Sequence, residues 1–154
     1  MQVSIFNNSL LADLKKEGED FEFYPTSNEV INVLKKDIGS MRFARSAKFL
    51  DIGAGNGKIL DNFKDDFKCF GIEKSQILST ILQEEFVLLG TDFMEQTLLD
   101  KKMDVIYSNP PYSLYAQWSK KIIMESYSKL VYLLIPSRWV ENKELLACIE
   151  NRGF

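Results

Sequence analysis

The sequence predicts an α/β protein, a doubly wound and mostly parallel sheet with helices on both faces. Three observations predict it. After Gly39, short apolar runs alternate with amphipathic stretches, the pattern of successive βαβ units. The first of these runs ends in an aspartate and a glycine-rich turn, as where a parallel strand feeds a helix. The chain has 154 residues, 45% hydrophobic and 27% charged, which suits one soluble globular domain.

Residues 1–22 read as a polar N-terminal arm, with Glu17, Glu19, Asp20 and Glu22 clustered around Gly18 as a solvated segment. Residues 23–154 read as the domain itself. It opens on Phe23-Tyr24-Pro25-Thr26-Ser27-Asn28-Glu29, where Thr26 and Glu29 match the S/T-x-x-E capping box. A helix is expected next, with Val30, Ile31, Leu34 and Ile38 at helical spacing and Gly39 as its stop. Ala47–Ile52 is the first strand, Asn56–Asp66 a helix and Phe67–Glu73 the second strand. Ser75–Glu84 is a helix with Ile77, Leu78, Ile81 and Leu82 on one face. Phe86–Gly90, Met103–Ser108 and Lys129–Ile135 are the third, fourth and fifth strands. Between the last two lies a helix over Ser113–Ser126, whose aligned Tyr115, Trp118, Ile122 and Ser126 make Trp118 a core residue. Ser137–Asn151 closes the chain as a helix carrying Trp139, Leu145, Leu146 and Ile149.

Composition excludes several chemistries. The chain has no histidine, so no Ser-His-Asp or Cys-His pair, no histidine base and no histidine zinc site can form. Cys69 and Cys148 lack a partner at ligand spacing, so no metal is expected and a reducing cytoplasm is the default. No apolar run approaches the roughly 20 residues of a membrane span, and residues 1–14 lack the pattern of a signal peptide. The formal charge is −3, and the two halves carry 11 basic against 12 acidic and 8 against 10. A protein holding nucleic acid through counterion release would show a basic excess, so any such contact is expected to be local or assisted.

In parallel sheets the ligand sits outside the carboxyl ends of the strands, and those ends carry the informative residues. The first strand is followed by Asp51-Ile52-Gly53-Ala54-Gly55-Asn56-Gly57-Lys58. Its alternating glycines allow a sharp turn and close backbone approach, with free amides expected at the next helix start. The spacing is neither that of the dinucleotide fingerprint nor that of a P-loop, and a tight structural turn is the plain alternative. The second strand ends in Glu73-Lys74, where a carboxylate can accept both protons of a ribose diol or simply favour a helix N-terminus. Asp92-Phe93 follows the third strand, suited to an adenine amino group and ring, or to a helix cap.

The fourth strand runs into Asn109-Pro110-Pro111-Tyr112, the most specific feature of the chain. Two prolines remove two amide donors and fix two φ angles, leaving carbonyl acceptors. The Asn109 side-chain oxygen and the Pro110 carbonyl could take both hydrogens of an NH₂ group, while Tyr112 stacks on a flat substrate. Arg138, after the fifth strand, reads either as a phosphate contact or as a helix-start residue.

In this order, Asp51-x-Gly-x-Gly-x-Gly57, Glu73, Asp92 and Asn109-Pro110-Pro111-Tyr112 resemble the class I S-adenosylmethionine-dependent methyltransferases. The tetrapeptide is similar to that of the amino-group branch, which includes N6-adenine and N4-cytosine DNA enzymes, some RNA enzymes and glutamine-N5 enzymes. Phe23 to Trp139 also resembles short bacterial and phage N6-adenine DNA methyltransferases. The resemblance implies a Rossmann-like class I methyltransferase fold and S-adenosyl-L-methionine as cofactor. It implies Gly53, Ala54, Gly55, Asn56 and Gly57 around the methionine with Asp51 nearby, Glu73 and Lys74 at the ribose, and Asp92 with Phe93 at the adenine. Tyr24, Pro25 and Thr26 would cover the methionine end, although the family order has Thr before Pro. Asn109, Pro110, Pro111 and Tyr112 would orient the target amino group, with Asn109 also beside the cofactor.

The expected activity is methyl transfer to an exocyclic amino group, first adenine N6 in DNA, with DNA preferred over RNA as the nucleic-acid substrate. The alternatives are a protein-glutamine N5 or RNA methyltransferase, and a non-catalytic module that binds cofactor or a partner. The family sheet has seven strands, and strands six and seven are missing from the expected elements, as if truncated after strand five. Target recognition is therefore expected from a further C-terminal region or a partner subunit.

Overall fold

The computed structural model describes residues 2–19, 21–22 and 24–154, with side chains described from residue 9 onward. Asp20 of the acidic cluster and Phe23 of the aromatic segment lie outside the described residues. The elements run α1 (Gln2–Lys16), α2 (Asn28–Gly39), β1 (Lys48–Ile52), α3 (Lys58–Phe63), β2 (Lys68–Ile72) and α4 (Gln76–Leu82). They continue with β3 (Val87–Gly90), β4 (Val105–Ser108), α5 (Tyr115–Glu125), β5 (Leu130–Leu133) and α6 (Lys143–Arg152). Short 3₁₀ turns occupy Phe93–Glu95 and Ser137–Glu141.

The five strands form one parallel sheet in the order β3-β2-β1-β4-β5. Alternation along the central strands divides the core in two. Phe49 of β1 and Val105 and Tyr107 of β4 join Ile31, Leu34 and Ile38 of α2 and Phe63 of α3 on one side. Phe49 and Phe63 stack there with ring centres 4.8 Å apart. Leu50, Ile52 and Ile106 join Trp118 and Ile122 of α5 on the other side, together with Phe93 and Leu98. Burial on both faces is why β1 and β4 read as near-continuous apolar runs. Because β1 pairs with β2 on one edge and β4 on the other, the strand order reverses between β1 and β4, and a crevice opens above their ends.

Every expected strand occurs, and so do the expected helices except that the last is divided; most elements are shorter than expected at one or both ends. Three local readings change. Residues 1–22 were expected as a solvated arm, yet Gln2–Lys16 is helical, with Leu10 and Leu14 buried against Leu78 of α4. The N-cap of α2 is Ser27, one residue beyond Thr26, because Thr26 is drawn into a buried hydrogen bond with Tyr107. The single helix expected over Ser137–Asn151 is broken at Asn142, which is extended and whose side chain accepts from the Leu145 N–H to start α6. Ser126 lies just past the end of α5 as its buried cap. Among the described residues no helix is long and apolar enough to cross a membrane.

Candidate active site

A cavity of about 430 Å³ fills the crevice above β1 and β4. Asp51, Gly53, Ala54, Gly55 and Asn56 line it from the first strand end, and Glu73, Lys74, Asp92 and Phe93 from the second and third. Tyr24, Pro25, Thr26, Asn109 and Pro111 close the opposite side. Gly57, Pro110 and Tyr112, also expected at the site, do not line this cavity.

The glycine loop owes its shape to backbone conformation. Gly53, Gly55 and Gly57 all have positive φ, at 80°, 57° and 78°. They serve different ends. A Cβ on Gly57 would meet Leu82 Cδ2 at 2.7 Å, so this glycine lets α3 pack on α4. A Cβ on Gly53 would find its nearest neighbour, Trp118, at 3.8 Å and point where the cavity lies. Most amides of the loop itself, and the first amide of α3, are already used. Gly53 and Ala54 donate to the Ile72 carbonyl, Gly57 to Ala54, and Lys58 N–H to Asn56 Oδ1. Gly55 N–H donates to Glu73 Oε2 at 2.7 Å.

Glu73 is thereby fixed from two directions, since its Oε1 accepts from Ser75 N–H at 2.8 Å. Burial pushes its carboxyl up, and the bonds from Ser75 and Gly55 hold it partly down. Asp51 is buried beside it, and its Oδ1 has no hydrogen-bond partner among the described residues. Burial pushes the Asp51 carboxyl well above the usual range, and the Glu73 carboxylate adds to the shift. Asp92 is a cap as well as a wall: Oδ1 accepts from Met94 N–H, and Oδ2 pairs with Lys74 Nζ at 2.8 Å. Phe93 is buried with its ring 4.8 Å from Trp118. Trp118 is both core and cavity wall, its Nε1–H donating to Ser108 Oγ, which itself donates to the Ile52 carbonyl.

The Asn-Pro-Pro-Tyr turn leaves β4 directly into this crevice. Asn109 Nδ2 donates to the Tyr24 carbonyl at 2.8 Å, which leaves its Oδ1 as the acceptor. The Pro111 carbonyl accepts from Leu114 N–H ahead of α5, whereas nothing among the described residues donates to the Pro110 carbonyl. Tyr24, Pro25, Thr26 and Asn109 form a partition, for they also line a second cavity of about 390 Å³. That cavity continues past Pro110 and Tyr112 to Leu134, Ile135 and Pro136, and none of its lining residues is charged. Tyr24 and Tyr112, 71% and 53% exposed, stand at its rim.

Several residues of the site were not anticipated. Lys58 Nζ donates to the Thr26 carbonyl at 2.7 Å and lines the first cavity, and its place behind the glycine loop is a usable signal. Tyr107 also lines it, hidden in sequence because it reads as a core strand residue. Glu19 accepts from the Ser75 hydroxyl and the Ile77 N–H, and Glu22 from the Ser113 N–H and hydroxyl. Residues thought to be solvated thus tie the segment before α2 to both rims. Phe21 and Glu22 hold positive φ of 39° and 57° there, a strained conformation for non-glycine residues. Arg138 lies against Tyr112, donating from Nη1 to its hydroxyl.

No family model matches the chain, and no curated protein matches it. Solved structures do match. The 23S rRNA methyltransferase ErmE aligns at TM-score 0.62 and 9% identity over 79% of this chain and 51% of its own. Mtq2 of the E. cuniculi Mtq2–Trm112 complex, responsible for methylation of the eRF1 termination factor, aligns at 0.62 and 17% over 85% and 84%. An S-adenosylmethionine-dependent methyltransferase from Clostridium acetobutylicum aligns at 0.57 and 15% over 91% and 61%. The chain thus spans about half the length of the rRNA enzyme. At these identities the likeness is one of fold: the chain has the Rossmann-like class I methyltransferase fold.

Proposed function

We propose that the chain is an S-adenosylmethionine-dependent methyltransferase acting on an exocyclic amino group, first adenine N6 in DNA. The observation that carries this reading is the partition between two cavities. Asn109 belongs to both, and its side-chain oxygen and the Pro110 carbonyl are unclaimed acceptors at the boundary. A donor group on one side and an amino group on the other would meet there.

The residues of the first cavity fit the cofactor. The unpartnered, buried Asp51 carboxyl suits a cationic ligand, whose charge would favour the ionised form. Glu73 is rigidly presented and keeps lone pairs for a ribose diol, and Asp92 with Phe93 offers an acceptor and a ring face for adenine. When bound, the cofactor supplies an already activated methyl group, so no histidine is required. The chain's own task is alignment: Asn109 and Pro110 accept the two amino hydrogens and aim the lone pair across the partition. Both acceptors gain strength as the nitrogen becomes positive. Tyr112 supplies the face for a flat base, which in a duplex must first be flipped out.

Likeness to Mtq2 over most of both chains favours a second reading, transfer to a protein glutamine amide. The uncharged second cavity and its two exposed tyrosines favour a ring over an aliphatic amide. Radiolabelled cofactor incubated with DNA, RNA and protein substrates tests the choice. Label is expected at adenine N6 of DNA, and label confined to a protein glutamine would sink the nucleobase reading. Asn109→Ala is expected to lower turnover by about 10²-fold or more while cofactor binding, followed by calorimetry, persists.

A further inference from the structure

The two walls of the second cavity come from different parts of the chain. Pro110 and Tyr112 follow β4, and Leu134, Ile135 and Pro136 follow β5. The β4–β5 ladder pairs Ser108 with Leu133, and the last backbone bond runs from Leu134 N–H to the Ser108 carbonyl. Beyond it a side chain spans the walls. Arg138, in the 3₁₀ turn after β5, donates from Nη1 to Tyr112 Oη at 2.9 Å. Its guanidinium carbon lies 4.4 Å from the centre of the Tyr112 ring and 5.2 Å from that of Tyr115. Tyr115 is buried at the start of α5 and is the fixed member of the three, while Tyr112 is exposed.

The geometry points to Arg138 as a positioning residue that holds Tyr112 against the β5 side and so sets the width of the target cavity. A planar guanidinium can lie on one ring and hydrogen-bond through its edge, which an ammonium cannot do with the same fixed geometry. With one face of Tyr112 taken by Arg138, the other is left for a flat substrate. This inference rests on the reading of Tyr112 as the residue that stacks on the target base.

The test uses the full chain with Arg138→Ala, Arg138→Lys, Tyr112→Ala and the double variant Arg138→Ala/Tyr112→Ala. Arg138→Ala is expected to raise KM for the base substrate about five- to tenfold with kcat little changed and cofactor affinity intact. Arg138→Lys should recover little of that loss. In the Tyr112→Ala background, removing Arg138 should add nothing, because its effect passes through the ring. Losses that multiply, or a salt dependence that falls by about one charge in both backgrounds, would overturn the proposal in favour of a direct phosphate contact. A second readout needs no turnover. In fluorotyrosine-labelled protein, the Tyr112 resonance, assigned by its disappearance in Tyr112→Phe, should shift in Arg138→Ala and stay shifted in Arg138→Lys. An unmoved resonance overturns the proposal. Absence of methyl transfer to any base would instead fail the functional reading, with the resonance still deciding whether Arg138 holds Tyr112.

Discussion

Asp51 places a carboxyl where water cannot reach Oδ1 and no described donor satisfies it. An unpaired buried charge is costly to a fold unless a ligand neutralises it. Its native pKa is raised, first by burial and then by Glu73, from an ordinary value of 3.8. The associated stability is therefore fully present below that ordinary value and is lost as pH rises through the raised one. As pH rises above that ordinary value the ligand-free protein should lose thermal stability, and Asp51→Asn should flatten that loss and raise the melting temperature at the upper end. Carboxyls held low by their partners, such as Glu22, Asp92 and Asp104, lose stability as pH falls, so their effect has the opposite sign. The same variant should bind S-adenosylmethionine more weakly by calorimetry. A melting profile as steep as that of the parent would show that Asp51 is not the titrating group. That Asp51 ends the first strand is plain in the sequence. Its orphaned oxygen is not, because that depends on donors which neighbouring strands fail to offer.

Among the elements, those built on strong periodicity were legible: β1, β2 and β4 as apolar runs, α2 and α5 as amphipathic helices. Those governed by distant partners were not. Thr26 and Ser27 are both good N-cap residues, and the choice between them is made by the Tyr107 hydroxyl, 81 residues away. Helix α1 escaped notice because its charged and polar residues suggest solvent, whereas its described core contribution is only Leu10 and Leu14. Yet Leu14 is fully buried against Leu78, at the helix whose start Glu19 helps to cap. Leu14→Ala should therefore cost about 2–4 kcal/mol in urea denaturation, the range for a buried leucine left with a cavity. It should also weaken cofactor binding, because the chain between α1 and α2 carries Glu19, Phe21 and Glu22 to the cavity rim. A loss below about 0.5 kcal/mol, as at an ordinary surface position, would mean that α1 does not belong to the cooperative unit.

Across the whole molecule, charge and topology pull the functional reading in one direction. The sheet order places the ends of β1 and β4 side by side, so the glycine loop and the Asn-Pro-Pro-Tyr turn, distant in sequence, face one crevice. That convergence follows from strand alternation, and it is why the site was more legible than the surface around it. The formal charge is −3, and Lys64, Lys74, Lys120, Lys121 and Lys129 are each paired with a carboxylate. On the proposed reading a substrate would be held less by phosphate neutralisation than by stacking at the exposed Tyr112 and Tyr24 beside an uncharged cavity. A protein that neutralises 6–10 phosphates loses about 10³–10⁵ in affinity between 50 and 200 mM salt. Here KM for an oligonucleotide should change by less than about tenfold over that interval, corresponding to roughly one or two released counterions. Tyr112→Ala should raise KM by a factor that is the same at both salt concentrations, since stacking does not depend on phosphate charge. A steep salt slope that survives this substitution would place the dominant contact on a basic surface and not at the tyrosine rim.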